Sequence, residues 1–254
     1  MTQQHDSLVR SQFGPAAADY VTSAVHAAGA DLARIAERAA AARPAQALDL
    51  GCGGGHVAYA ISPHAGTVTA CDLSAEMTGV VAAEASRRGL ANISALVSPA
   101  ESLAAPDAAF DFLACRFSTH HWRDAAAGLA EARRVLSTGA PAMFADVIAP
   151  ALAAADTHLQ AVELLRDPSH GRDYREDEWL AMLGAAGFTI GAVTSYRLRM
   201  DFPDWTARMR TTPDRAAAIR TLQGLAGSEV SAHFGIEADG SFTIDTLLIE
   251  AVAA

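Results

Sequence analysis

The period of the apolar positions changes along the chain. Over 15–42, Tyr20, Val21, Ala24, Val25 and Ala28 recur at helical spacing and Arg43-Pro44 closes the run, which predicts one or two helices. A compact apolar strand is predicted at 45–50. Glycines 51, 53, 54 and 55 follow, then a helical start at 56–61, turn residues at 63–66 and a second strand at 67–71. This is a βαβ unit of ordinary length. The alternation continues with a helix at 75–88, strands at 93–97 and 110–115, a helix at 125–136 and a strand at 142–146. Such a succession predicts an α/β fold, a doubly wound and mostly parallel sheet with helices on both faces.

At 151–175 the pattern breaks into a helix and a polar loop containing Pro and His. A helix at 177–186, strands at 189–200 and 242–252, and a helical stretch between them at 203–227 complete the chain. One domain is expected over 1–254. It divides into a helical cap at 1–43, a core at 44–150, a lid-like insertion at 151–175 and a sheet-completing part at 176–254. Alanine sits on either face of a helix and blurs these boundaries by a few residues.

Composition narrows the chemistry. The chain has 254 residues, 51% of them hydrophobic and 19% charged, enough apolar material to bury a core. Acidic residues outnumber basic ones by 29 to 19, which argues against a protein that tracks a nucleic-acid backbone. Every basic residue is arginine, so a pyridoxal Schiff base, a phosphate-loop lysine and a lysine nucleophile are excluded. Cys52, Cys71 and Cys115 are too scattered for a disulfide framework or a paired metal site, and suit a reducing compartment. The polar residues 1–10 do not resemble a secretory signal, and no apolar run reaches membrane-spanning length. A cytoplasmic location is expected.

The segment Leu48-Asp49-Leu50-Gly51-Cys52-Gly53-Gly54-Gly55 runs a strand into a glycine turn at a helix start. Glycine there admits positive φ and close ligand approach, and the helix offers free amide hydrogens. Dinucleotide enzymes use the same device, so the glycines alone leave a nicotinamide-dependent oxidoreductase open. At the end of the second strand stands Asp72, a carboxylate able to accept two hydrogen bonds from a ribose diol or to start the next helix.

These segments, with Asp72-Leu73-Ser74-Ala75-Glu76-Met77, Ala100-Glu101-Ser102-Leu103, Phe110-Asp111 and Glu131-Ala132-Arg133-Arg134-Val135-Leu136-Ser137-Thr138-Gly139, resemble the ordered motifs of class I S-adenosylmethionine-dependent methyltransferases. The nearest flavour is the group similar to ubiquinone and menaquinone biosynthesis methyltransferases. The resemblance implies a Rossmann-like seven-stranded sheet whose last strand is antiparallel, with S-adenosyl-L-methionine as cofactor. It implies that Asp49, Gly51, Cys52 and Gly53 line the methionine part, that Asp72 holds the ribose, and that Leu73 and Met77 sandwich the adenine. Pro99 replaces an acid expected to meet the adenine amino group, so Ala100 or Glu101 is expected to substitute. Cys115 and Arg116 are expected to border the sulfonium through backbone carbonyls.

The acceptor is the open question. His120 and His121 follow the fourth strand at the edge where such sheets bind ligands, and a histidine there can take or share a proton. His120 is the favoured of the two, as base or orienting partner, because His121 adjoins Trp122 and can be drawn into packing. Phe13, Tyr20 and Trp205 are candidates for lining an acceptor pocket or for the core. His158, Arg166, Asp167, His170 and Arg172 make the insertion unusually polar. A solvated loop is the plain expectation, and a lid contributing Arg166 and His170 the sharper one. Their spacings fit no compact metal site. The expected partner is a small-molecule acceptor rather than nucleic acid, whose methylation is also disfavoured by the missing Asn/Asp-Pro-Pro-aromatic tetrapeptide. The oligomeric state is left open. A cofactor-binding protein without turnover is the non-enzymatic alternative.

Overall fold

The computed structural model describes residues 2–13 and 29–254. Helices α1 (Thr2–Phe13) and α2 (Ala30–Ala42) precede β1 (Gln46–Leu50), α3 (His56–Ile61), β2 (Thr67–Asp72), α4 (Ala75–Arg87) and β3 (Ile93–Val97). Then come β4 (Phe112–Arg116), a single 3₁₀ turn (Thr119–His121), α5 (Ala125–Val135), β5 (Pro141–Ile148) and α6 (Ala153–Arg166). The chain continues through α7 (Glu176–Ala186), β6 (Phe188–Met200), α8 (Phe202–Arg208), α9 (Pro213–Leu225), α10 (Ser228–Phe234) and β7 (Phe242–Ala253).

Seven strands pair in the order β3-β2-β1-β4-β5-β7-β6. The first five are parallel, and β7 runs antiparallel to both β5 and β6. The last strand is therefore the antiparallel one, as expected. β1, β4 and β5 are almost continuously buried, because helices cover both faces of a parallel sheet. Neighbouring residues serve opposite cores. Leu48 and Leu50 face a cluster with Phe144, Trp179 and Leu183, while Ala47 joins Ile35, Val57 and Phe112 on the other side. A third core around Trp205, Ile219, Phe234 and Phe242 anchors α6, α9 and α10 against the end of the sheet.

Local chemistry explains the element starts. Ser74 caps α4 by accepting from Met77 N, and Asp124 caps α5 by accepting from Ala127 N. The Asp111 carboxylate accepts from Ala45 N and Gln46 N at 2.9 Å each, pinning the start of β1 beside β4. Glu131 and Arg134 are structural as well, binding the backbone at Leu103 and Ala105.

Two elements escaped the sequence pattern. α1 has few apolar positions, Leu8, Val9 and Phe13 among them, so its periodicity is weak. α10 follows a break at Gly227, beyond the single helical stretch expected at 203–227. The expected helix over 15–28 lies outside the described residues. No described helix is long and apolar enough to cross a membrane.

Candidate functional site

The strand order reverses between β1 and β4, and the carboxyl ends of β1 to β5 open on one edge, the usual place for a ligand crevice. Leaving β1, Gly51 adopts φ +73°, and a Cβ there would lie 1.9 Å from Ser118 Oγ, so only glycine fits. The amides of Gly51 and Cys52 both donate to Cys71 O at 2.8 Å. Asp72 locks the turn from the neighbouring strand, accepting from Gly53 N at 3.0 Å and from Ser74 N at 2.9 Å. Burial pushes its carboxyl up while these amides pull it down. Asp49 is buried and accepts from Ala58 N at 2.9 Å, and burial raises it to about 7.

A cleft runs along this edge. Gly51, Gly53, Asp72, Leu73 and Met77 line one wall, Ser98 to Glu101 the next, and Phe117, Ser118 and His121 a third. Helix α1 lies over it, contributing His5, Asp6, Val9 and Phe13. It is held there by a 2.9 Å hydrogen bond from His5 Nε2 to His121 O and by Asp6 3.6 Å from Arg123. A smaller recess beneath the glycine loop is walled by Asp49, Cys52, Gly53, His56 and Arg116.

S-adenosylmethionine fits these residues: an elongated cofactor with a diol, an adenine ring and an amino-acid end. Asp72 stands in the cleft for the diol, Leu73 and Met77 give apolar faces, and the recess supplies a carboxylate and a cation. The glycines at 51 and 53 carry no side chain into the cleft and so leave its floor clear.

A second cavity adjoins the first, sharing Phe13, Phe117 and His121 with it. Phe117 holds φ +52°, an uncommon conformation for an aromatic residue, and so turns the chain sharply after β4. Behind it lies a cluster of charged groups buried under α6. His120 Nδ1 sits 2.5 Å from Asp146 Oδ1 at the end of β5. Burial alone would lower His120, but the charge and hydrogen bond of Asp146, with Asp173 and Glu163 nearby, raise it to about 9. Arg166 donates to Glu163 at 3.0 Å and to Trp205 O at 3.1 Å, and stacks over the Trp205 ring. His121 is driven well below its ordinary value, first by burial and then by His120 and His170, so it is neutral.

Most of the expected residues line these cavities: Asp49, Gly51, Cys52, Gly53, Asp72, Leu73, Met77, Ala100, Glu101, Arg116, Phe13, His120, His121, Arg166 and Trp205. Several details differ. Cys115 lies in the core, its Sγ 3.5 Å from Thr119 Oγ1, and lines none of the three cavities, because its side chain belongs to the cluster that holds Leu113 and Phe144. The Arg116 side chain is engaged by Asp31 at 2.5 Å. Glu101 accepts from Arg123 N and Asp124 N, tying two loops together as well as bordering the cleft. His170 is spent on Gln160 Oε1 at 3.0 Å and lies behind the second cavity instead of lining it. The insertion is not a solvated loop either. Glu163, Asp167, Ser169, His170 and Asp173 are buried, since α6 and the turn after it pack against β5 and the 3₁₀ turn. Tyr20 lies outside the described residues.

Sequence reasoning expected a helical cap at 1–43 and named Phe13, but missed His5, Asp6 and Val9 beside it, Phe117 as a wall shared by both cavities, and Asp146, Glu163 and Asp173. Asp146 had left a signal, a lone carboxylate closing an otherwise apolar strand.

Comparison with known proteins agrees with this geometry. Residues 48–144 match the model of a methyltransferase domain. The chain is 39% identical over 197 residues to the uncharacterized protein YafE of Escherichia coli K12, covering 78% of this chain and 95% of YafE. It is 31% identical over 238 residues to the uncharacterized methyltransferase YcgJ of Bacillus subtilis 168, covering 92% of this chain and 94% of YcgJ. The crystal structure of YcgJ superimposes with a TM-score of 0.84, covering 87% of this chain and 97% of that one. Cofactor cleft, sheet order and relatives converge: the chain belongs to the S-adenosylmethionine-dependent methyltransferases.

Proposed function

We propose that the protein methylates an O, N or C atom of a small-molecule acceptor bound in the second cavity. The observation that carries this reading is the meeting of the two cavities at Phe13, Phe117 and His121, which gives a methyl group in the first a short way to an atom in the second. When bound, S-adenosylmethionine would supply a methyl group from its sulfonium, leaving S-adenosylhomocysteine, and the proton that the acceptor atom loses would pass to solvent. The chain supplies the rest. Asp72 orients the ribose, Leu73 and Met77 the adenine, and Asp49 and Arg116 face the amino-acid end. Helix α1 and Phe117 exclude water from the junction, where desolvation and alignment lower the barrier.

His120 orients the acceptor in this reading and does not act as a base. Asp146 holds it at about 9, so at neutral pH it carries its proton and donates. A small cavity walled by Phe13, Phe117, Trp205 and Met209 suits a small molecule, and the acidic balance of the chain supports an acceptor other than nucleic acid.

The test is incubation with methyl-labelled S-adenosylmethionine and a fractionated small-molecule extract. Label is expected in a low-mass product, formed by wild-type protein and not by Asp72→Ala. Label confined to nucleic acid or protein would contradict the proposal.

A further inference from the structure

The second cavity contains two buried carboxyl groups that the described residues leave incompletely satisfied. Asp167 and Asp173 both line it, and each is 1% exposed. Asp167 Oδ1 accepts from the Ser169 amide at 2.8 Å and hydroxyl at 2.6 Å, but its Oδ2 has no partner among the described residues. Asp173 Oδ2 is likewise unpartnered. A buried polar oxygen left in this state costs about 1–3 kcal/mol, so native structures supply a donor.

The nearest donors are already committed. His170 Nε2 lies 3.8 Å from Asp173 Oδ2 and donates instead to Gln160 Oε1. Gln160 in turn binds both the amide and the carbonyl of Asp173, which fixes the backbone of that residue. His121 Nε2 lies 3.9 Å from Asp167 Oδ2, and His121 Nδ1 faces the Ser169 carbonyl, which leaves Nε2 an acceptor in the neutral ring. The cations of the cluster are matched one to one, His120 with Asp146 and Arg166 with Glu163. Asp167 and Asp173 remain outside these pairs, and the Oδ2 of each has no donor among the described residues.

We propose that Asp167 and Asp173 form the polar end of the acceptor subsite and bind a hydrogen-bond donor on the acceptor, a hydroxyl or an amino group. This deepens the small-molecule reading above and rests on it. Burial raises both acids, Asp173 far above its ordinary value, and a carboxyl in that state pairs well with a hydroxyl, which can both give and take a hydrogen bond. An ammonium would be held by drawing the acids into their charged form. An anionic group would meet two carboxyls; of the cations on these walls, Arg166 is matched by Glu163, Arg208 is engaged as well, and His120, matched through Nδ1 by Asp146, offers only its Nε2–H. Around this end the cavity is apolar and aromatic, with Phe13, Phe117, Trp205 and Met209 on its walls. The acceptor class is therefore a compact apolar or aromatic molecule bearing a hydroxyl or amine.

Four probes of one shape and differing in one group test this: benzyl alcohol, benzylamine, benzoate and toluene. Each is titrated by ligand-observed NMR into the full chain saturated with S-adenosylhomocysteine. The alcohol or the amine is expected to bind about tenfold or more tightly than toluene and benzoate, and whichever binds tighter identifies the donor. Asp173→Asn and Asp167→Asn should each erode that preference about fivefold or more, with S-adenosylhomocysteine affinity unchanged. Benzoate binding best, no preference among the four, or a preference intact in both variants would overturn the proposal. Where a variant does not fold, the wild-type ranking decides. A chain that fails to bind S-adenosylhomocysteine contradicts the methyltransferase reading, and the ranking is then read without it.

Discussion

The two halves of the sheet edge that carries the cavities are built on different principles. On the side of β1, β2 and β3, the cleft is backbone: glycine φ values, amides donating to Cys71 O, and one acid that closes its own loop. On the side of β4, β5 and α6, the cavity is side chains: two imidazoles, two arginines and three carboxyls on its walls, with Asp146 behind His120. A backbone cradle suits a ligand shared by a whole family, since almost any surrounding sequence can form it. A buried charge cluster suits one particular acceptor, because each member depends on its neighbours.

The largest effect should come from breaking the charge cluster. His120→Ala leaves Asp146, 1% exposed, as an unpaired buried carboxylate, and should cost about 3–5 kcal/mol in a denaturant titration. Turnover should fall with it while S-adenosylhomocysteine still binds. The same pair gives a pH signature. His120 is raised to about 9 in the folded chain from 6.5, so its contribution is complete below about 6.5 and is lost as pH rises through about 9. Melting temperature should decline across that window in the wild type, and this part of the decline should vanish in His120→Ala.

Next is the cradle itself. Gly51→Ala places a Cβ on Ser118 Oγ at positive φ, and should weaken S-adenosylhomocysteine by about 2–4 kcal/mol through strain and displaced packing. Calorimetry measures it, and a near-normal affinity would mean that the loop has room to yield. Smaller again, Asp72→Ala should cost about 1.5–3 kcal/mol of cofactor binding by removing charge-assisted bonds to the diol. Smallest is His5→Ala. It removes one hydrogen bond from α1 to His121 O and should loosen the lid by about 0.5–1.5 kcal/mol, seen as faster amide exchange over α1.

The same contrast explains what was legible in the sequence. Gly51, Gly53 and Asp72 announce themselves because their role needs particular residue types at particular places along one local βαβ unit. The parallel sheet was readable for the same reason, from local alternation, whereas its antiparallel last strand was implied by the family resemblance that the motifs carry. The second cavity and the cluster behind it draw His120, Asp146, Glu163 and Asp173 from separate segments, and only the folded sheet brings them together. A polar run such as 163–175 looks solvated until it is known that α6 covers it. His170 and Cys115 show the converse: the right neighbourhood, with side chains committed behind it. Helix α1 was legible only as part of a helical cap at 1–43, because it docks through a few contacts, His5 and Asp6 among them, and lacks a continuous apolar stripe.

The division of labour between the halves is tested most directly by titrating S-adenosylhomocysteine calorimetrically into wild type, Asp72→Ala and Asp173→Asn. One site per chain is expected, weakened by about 1.5–3 kcal/mol in Asp72→Ala and unchanged in Asp173→Asn. Equal weakening in both variants, or none in a folded Asp72→Ala, would contradict the account.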